Sequence, residues 1–143
     1  MNPTVLVLVD DLFWRTKIEH TLKSAQATGV FIDKSDQLAA KADPRSVGLV
    51  IVDLALRDDP FSAIAALKKN AKTKGIAVVG YYEHVRKDLL EKGGKAGCDQ
   101  VLPRAAFSQH LGDIVMKYAL PGGFRAEEET AAAVTSQAPR APW

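Results

Sequence analysis

The sequence predicts an α/β fold: a doubly wound, five-stranded parallel sheet in the order 2-1-3-4-5. Two observations predict it. Short apolar runs rich in β-branched residues alternate five times with stretches whose apolar residues recur every three or four positions. The apolar runs are nearly continuous rather than alternating, which suits strands covered by helices on both faces. Right-handed crossovers leave few topologies. In this one the first and third strands are neighbours, and ligands bind at their carboxyl ends.

Each element has its own signal. Thr4 to Val9 is a buried strand. Trp14, Ile18, Leu22 and Ala25 then fall at helical spacing, and Gly29 is expected to end that helix. "VFID" (Val30 to Asp33) reads as a second strand, and Ser35 to Ala42 as a short helix closed by Asp43-Pro44. "VGLVIVD" (Val47 to Asp53) is the third strand. Asp59 as N-cap and Pro60 at the first helical position start the third helix, with Phe61, Ile64, Leu67 and Ala71 on one face. Gly75 to Tyr82 gives the fourth strand. His84 to Gly97 gives a helix whose end Gly93-Gly94 weakens. Gln100 to Leu102 gives the fifth strand. Phe107, Leu111, Ile114, Val115 and Tyr118 mark the last helix, which Pro121-Gly122-Gly123 stops.

The chain has 143 residues, enough for one real core. One domain is expected over residues 1–120. Residues 121–143, rich in Ala, Glu, Pro, Thr and Ser, are expected to form a flexible tail. The net charge of +2 is too weak and too dispersed to argue for nucleic acid or a membrane. The single cysteine, Cys98, excludes an internal disulfide and argues against a cysteine-based zinc site. No run approaches the length of a membrane span, and the first residues lack the pattern of a signal peptide, so a cytoplasmic setting is expected.

Two strands end in carboxylates. Asp10 and Asp11 follow the first and Asp53 ends the third, so the predicted topology brings them together. Crowded carboxylates repel and raise one another's pKa unless a cation sits among them. Mg²⁺ meets that need, since it takes hard oxygen ligands and keeps several waters. An aspartate beside it can attack phosphorus. The simpler alternative is that such aspartates cap the helices that follow.

The sequence resembles the receiver domain of bacterial response regulators, the phospho-accepting half of two-component signalling, over about residues 4–120. "VLVLVDD" is similar to that family's first strand and acidic pair, "LVIVDLAL" to the strand carrying its acceptor, and "KAGCDQVLPR" to its approach to the fifth strand. The resemblance implies the flavodoxin-like, CheY-like (βα)5 arrangement. It implies Asp53 as phospho-acceptor, Asp10 and Asp11 as Mg²⁺ ligands directly or through water, and the backbone carbonyl of Ala55 as a further ligand.

The sequence also departs from that family. The hydroxyl residue ending the fourth strand aligns with Gly80, and the phosphoryl-pairing lysine with Arg104, whose planar fork has a different shape. Pro103 precedes that arginine rather than following it. The switch aromatic of the fifth strand falls on Val101, for which Tyr81 or Tyr82 is a candidate substitute; one of the two is expected to pack and the other to be exposed. "LRDDPF" replaces the usual residues after the acceptor.

The expected function is a stand-alone, atypical (pseudo-) receiver that acts by protein contact in a two-component-type pathway, not as an enzyme. Its partner would be a histidine kinase, another signalling protein or a second copy. The resemblance places dimer contacts on the face of the fourth helix, fifth strand and fifth helix, near Val85, Leu89, Leu111 and Tyr118. The runner-up is a genuine Mg²⁺-dependent acceptor at Asp53, in a phosphorelay or as a phosphate sink. A small phosphatase-like hydrolase is the alternative of another class. His20, His84 and His110 are read as ordinary surface or half-buried histidines, and Trp14 as core. Trp143 in the tail is a thin candidate for docking. Arg15, Lys17, Lys68, Lys69, Arg86 and Lys87 are read as solvated helix faces.

Overall fold

The computed structural model describes residues 3–119, so the expected tail over 121–143 lies outside the described residues. The elements run β1 (Thr4–Leu8), α1 (Leu12–Ser24), β2 (Thr28–Ile32), α2 (Gln37–Lys41), β3 (Val47–Asp53), α3 (Pro60–Lys69), β4 (Ala77–Tyr82), α4 (Lys87–Ala96), β5 (Gln100–Pro103) and α5 (Arg104–Tyr118). The sheet order is β2-β1-β3-β4-β5, with every pair parallel. The predicted fold class and strand order are both found.

Several boundaries differ, for local reasons. Gly29 does not end α1. The helix closes at Ala25, and Gln26, at φ 59, turns the chain so that β2 can pair with β1 from Thr28 onward. Gly29 then sits inside β2, where a Cβ would come within 2.8 Å of Leu22 and Phe31. Gly93-Gly94 lies within α4. The helix stops at Gly97, whose φ of 112 suits glycine and whose N–H bonds the Gly94 carbonyl. Residues 83–86 form a turn instead of the first turn of α4, with the Arg86 N–H donating to the Glu83 carbonyl. Asp59 caps α3 through Ser62 with Pro60 in its first turn, as expected.

Strand parity divides the core in two. Val5, Val7, Leu49, Ile51, Val79 and Tyr81 face α1 and α5, where they meet Trp14, Ile18, Phe107 and Leu111. Leu6, Leu8, Val50, Val52, Val78 and Tyr82 face the other way, toward Leu38, Ile64, Leu67 and Leu89 of α2, α3 and α4. Both tyrosines are therefore buried, against the expectation that one would be exposed. Trp14 is core, as expected, at 8% exposure.

Two of the cations expected to be solvated instead tie elements together. Arg15 Nε donates to the Val9 carbonyl at 2.6 Å. Lys68 Nζ donates to the carbonyls of Lys74 and Ile76 and to Asp99 Oδ2, at 3.2, 2.7 and 2.8 Å. The same Asp99 oxygen accepts from the Val78 N–H at 2.7 Å. One lysine thus joins the end of α3 to the starts of β4 and β5. Among the described residues no helix is long and apolar enough to cross a membrane.

Candidate functional site

β3 ends at Asp53, and the loops after β1 and β3 open at the same rim of the sheet. Asp53 is buried, at 9% exposure, while Asp10 and Asp11 are exposed beside it. Burial is the main cause that pushes the Asp53 carboxyl above the usual range. The Ala55 N–H, which donates to its Oδ1 at 2.9 Å, pulls it down, as does Arg104; the charges of Asp10 and Asp11 raise it. Asp10, Asp11 and Arg104 are thus near enough to Asp53 for their charges to act on its carboxyl.

The carboxylates do not form a closed metal cage. Among the described residues no group of three or more His, Cys, Asp or Glu side chains is gathered closely enough to hold an ion. Asp11 has turned to cap α1, its Oδ1 accepting from the Trp14 N–H at 3.1 Å. The capping explanation thus holds for one member of the pair. The donor set still fits Mg²⁺, which needs only one or two carboxylates with water completing its shell. Asp53 and Asp10, with the Ala55 carbonyl, are hard oxygen donors of that kind.

Gly80 does not stand where the sequence alignment put it. It pairs with Val52, and a Cβ there would point at the Leu54 side chain, 2.8–2.9 Å away, on the α3/α4 side of the sheet. A hydroxyl that reaches a group on Asp53 must leave the sheet on Asp53's own face. The residue that does so is Tyr81, the cross-strand partner of Asp53. Its phenol is fully buried, and its hydroxyl has no hydrogen-bond partner among the described residues. Burial, followed by the charge of Asp53, pushes that phenol well above its ordinary range, so it remains a protonated donor. Sequence reasoning weighed Tyr81 as a ring and missed it as a hydroxyl. The parity of Leu49, Ile51 and Asp53 against Ala77, Val79 and Tyr81 carried the signal.

Aromatic packing fixes Tyr81. Its ring stacks on Phe107 of α5 at 4.7 Å and meets Trp14 of α1 at 5.2 Å. The Arg104 guanidinium lies over the Trp14 ring, 5.7 Å from its centre. Among the described residues Arg104 Nε is buried without a hydrogen-bond partner, and no ion pair joins Arg104 to Asp53. Val101, at the position of the expected switch ring, packs against the opposite core.

The remaining candidates disperse. His20 and His84 are exposed, and His110 lies on α5 with Nδ1 3.9 Å from Asp113. Of the expected dimer contacts, Val85 is exposed, but Leu89 and Leu111 are interior at 3% and 1% exposure, and Tyr118 packs partly against the core. Helix amphipathicity reads both leucines inward, and α4 and α5 bury them. Trp143 lies outside the described residues.

No protein-family model matches the chain, and no curated protein matches it by sequence. Solved structures do match in fold. The receiver domain of a sensor histidine kinase from Pseudomonas aeruginosa, with a magnesium ion coordinated in its active-site cleft, aligns with a TM-score of 0.73 at 17% identity, over 83% of this chain and 98% of that one. The chemotaxis response regulator CheY4 of Vibrio cholerae aligns with a TM-score of 0.69 at 17% identity, over 81% and 98%. A response regulator from Thermotoga maritima gives 0.65 at 18% identity, over 82% and 97%. The chain has the fold of these receiver domains.

Proposed function

We propose that this chain is an atypical receiver-type signalling module of the cytoplasm, acting by contact with a histidine kinase or another signalling protein. Asp53 is its acceptor, and Mg²⁺ binds weakly through Asp53, Asp10, water and the Ala55 carbonyl. When bound, the ion neutralises charge on an incoming phosphoryl group. The chain's own residues do the rest. Asp53 supplies the attacking oxygen, the Ala55 N–H holds its other oxygen in place, and Arg104 offers positive charge where a lysine would serve in the family it resembles.

The sequence alone favoured a degenerate site over a working acceptor. The observation that reverses this order is the cross-strand pairing of Asp53 with Tyr81, whose buried hydroxyl has no hydrogen-bond partner among the described residues. What stays atypical is the response. Val101 is no rotating ring, and Tyr81 is packed into a three-ring cluster with Phe107 and Trp14, so phosphorylation has no obvious ring movement to drive.

Incubation with acetyl phosphate and Mg²⁺, followed by intact mass, tests the reading. The expected result is a gain of one phosphoryl group that Asp53→Asn abolishes. No gain, or a gain that survives the substitution, overturns it. Steady turnover of a chromogenic phosphate ester would point instead to a hydrolase.

A further inference from the structure

We propose that the lysine-bearing turn between α3 and β4 is the docking surface for this chain's own acidic run, Glu127, Glu128 and Glu129. The surface consists of Lys69, Lys72 and Lys74, all exposed. Among the described residues no ion pair uses any of the three. Lys68 is spent inward, and it takes Asp99 with it, so that acid does not offset them. The turn that carries them is built rather than loose. The Asn70 carbonyl accepts from the Thr73 and Lys74 N–H groups at 3.1 and 2.9 Å, and Asn70 Oδ1 accepts from the Lys72 N–H at 2.8 Å. The buried Thr73 hydroxyl donates to the Leu67 carbonyl at 2.7 Å. Like charges held on a fixed turn repel, and an anion that meets them relieves the repulsion.

Charge and reach identify the occupant. The described residues end at Ala119, where α5 closes against the start of β3: a Cβ on Gly48 would collide with the Ala119 carbonyl. β4 begins on the neighbouring strand, with Ala77 paired to Leu49, directly after the lysine turn. Ala119 and the turn therefore share the amino-terminal edge of the sheet, where adjacent strands are about 5 Å apart. Glu127 lies eight residues beyond Ala119, past Pro121-Gly122-Gly123. Eight extended residues span about 26 Å, several times that step. Three consecutive carboxylates thus come within reach of three ammonium groups. Each exposed pair is weak alone, but the short link makes the encounter intramolecular, at an effective concentration of roughly millimolar. Docked there, the acidic run lies at the edge opposite Asp53 and leaves that rim open to a partner.

A nitroxide attached at Ala131→Cys in the full-length chain, with Cys98→Ala removing the native thiol, reports the contact by paramagnetic broadening of backbone amides. The expected result in dilute buffer is selective broadening of residues 69–76. It disappears at about 1 M salt, where the screening length is about 3 Å. Lys69→Glu, Lys72→Glu and Lys74→Glu together abolish it. Adding Glu127→Lys, Glu128→Lys and Glu129→Lys to that variant restores it, which a loss of folding would not allow. Broadening spread evenly over the surface, centred on residues 10–13 at the opposite rim, or unchanged by the lysine reversal overturns the proposal. So does equal broadening in a mixture of spin-labelled and separately isotope-labelled chains, which would assign the surface to a second copy.

Discussion

Asp53 and Tyr81 are cross-strand partners at the carboxyl ends of β3 and β4, and their side chains leave the sheet on the same face. Neither is in the company a buried core position would give it. The carboxylate is held at a cost, and the hydroxyl finds no hydrogen-bond partner among the described residues. Several consequences for stability and chemistry follow from that pairing and from the elements that support it.

Replacing Asp53 by Asn stabilises the protein at neutral pH. Burial raises the folded-state carboxyl above its ordinary value of 3.8. A raised carboxyl favours folding through its protonated form. That contribution is full below the unfolded-state range and is lost as pH rises through the folded-state titration. At pH 7 the wild type therefore carries an unfavourable buried charge that Asn lacks. Melting temperatures measured across pH should show the variant a few degrees higher near neutrality, with the gap closing as the pH falls through the raised Asp53 titration and gone below the ordinary value of 3.8.

Arg104→Met raises the Asp53 carboxyl further, because it removes a nearby cation that lowers it. Arg104→Lys keeps the charge and limits the rise. ¹³C NMR titration of the aspartate carboxyls distinguishes the three proteins. An unchanged Asp53 titration in the methionine variant would place Arg104 outside the pocket.

Gly80→Ser does not restore a phosphoryl-binding hydroxyl. Its Cβ meets the Leu54 side chain on the far face of the sheet. The expected outcome is a loss of about 1–3 kcal/mol in denaturant unfolding, from overpacking, with no increase in labelling by acetyl phosphate. Faster labelling would return position 80 to the site.

Lys68→Met costs about 1.5–3 kcal/mol, since it leaves the Lys74 and Ile76 carbonyls and Asp99 without their shared donor. Chemical denaturation measures it, and hydrogen exchange should show the loss first at the start of β4.

Cys98 is an inert thiol. Burial pushes it up to about 12 and it packs among core residues. A thiol reagent at neutral pH should label the native protein slowly and the denatured protein at once.

Much of the fold was legible because strands covered on both sides leave unbroken apolar runs, and the five here alternate with clear helical spacing. Asp59-Pro60 marks the start of α3 without ambiguity. The misplaced boundaries fall where a glycine has more than one use. Gly29 reads as a helix stop but serves a tight strand, and Gly93 reads as a helix breaker but makes room for Leu54. The acidic half of the site was legible from strand ends. The side chain that shares Asp53's face on β4 was not, because motif spacing pointed to Gly80, while register puts Tyr81 opposite Asp53.

Leu54 follows Asp53 directly, and its methyl groups fill the notch left by two glycines, Gly80 on β4 and Gly93 on α4. The arrangement works as a mechanical detent. α4 cannot shift along the sheet at Gly93 without displacing the isobutyl group seated there. A bulkier residue at either glycine would jam the catch, and a smaller one at 54 would leave it slack.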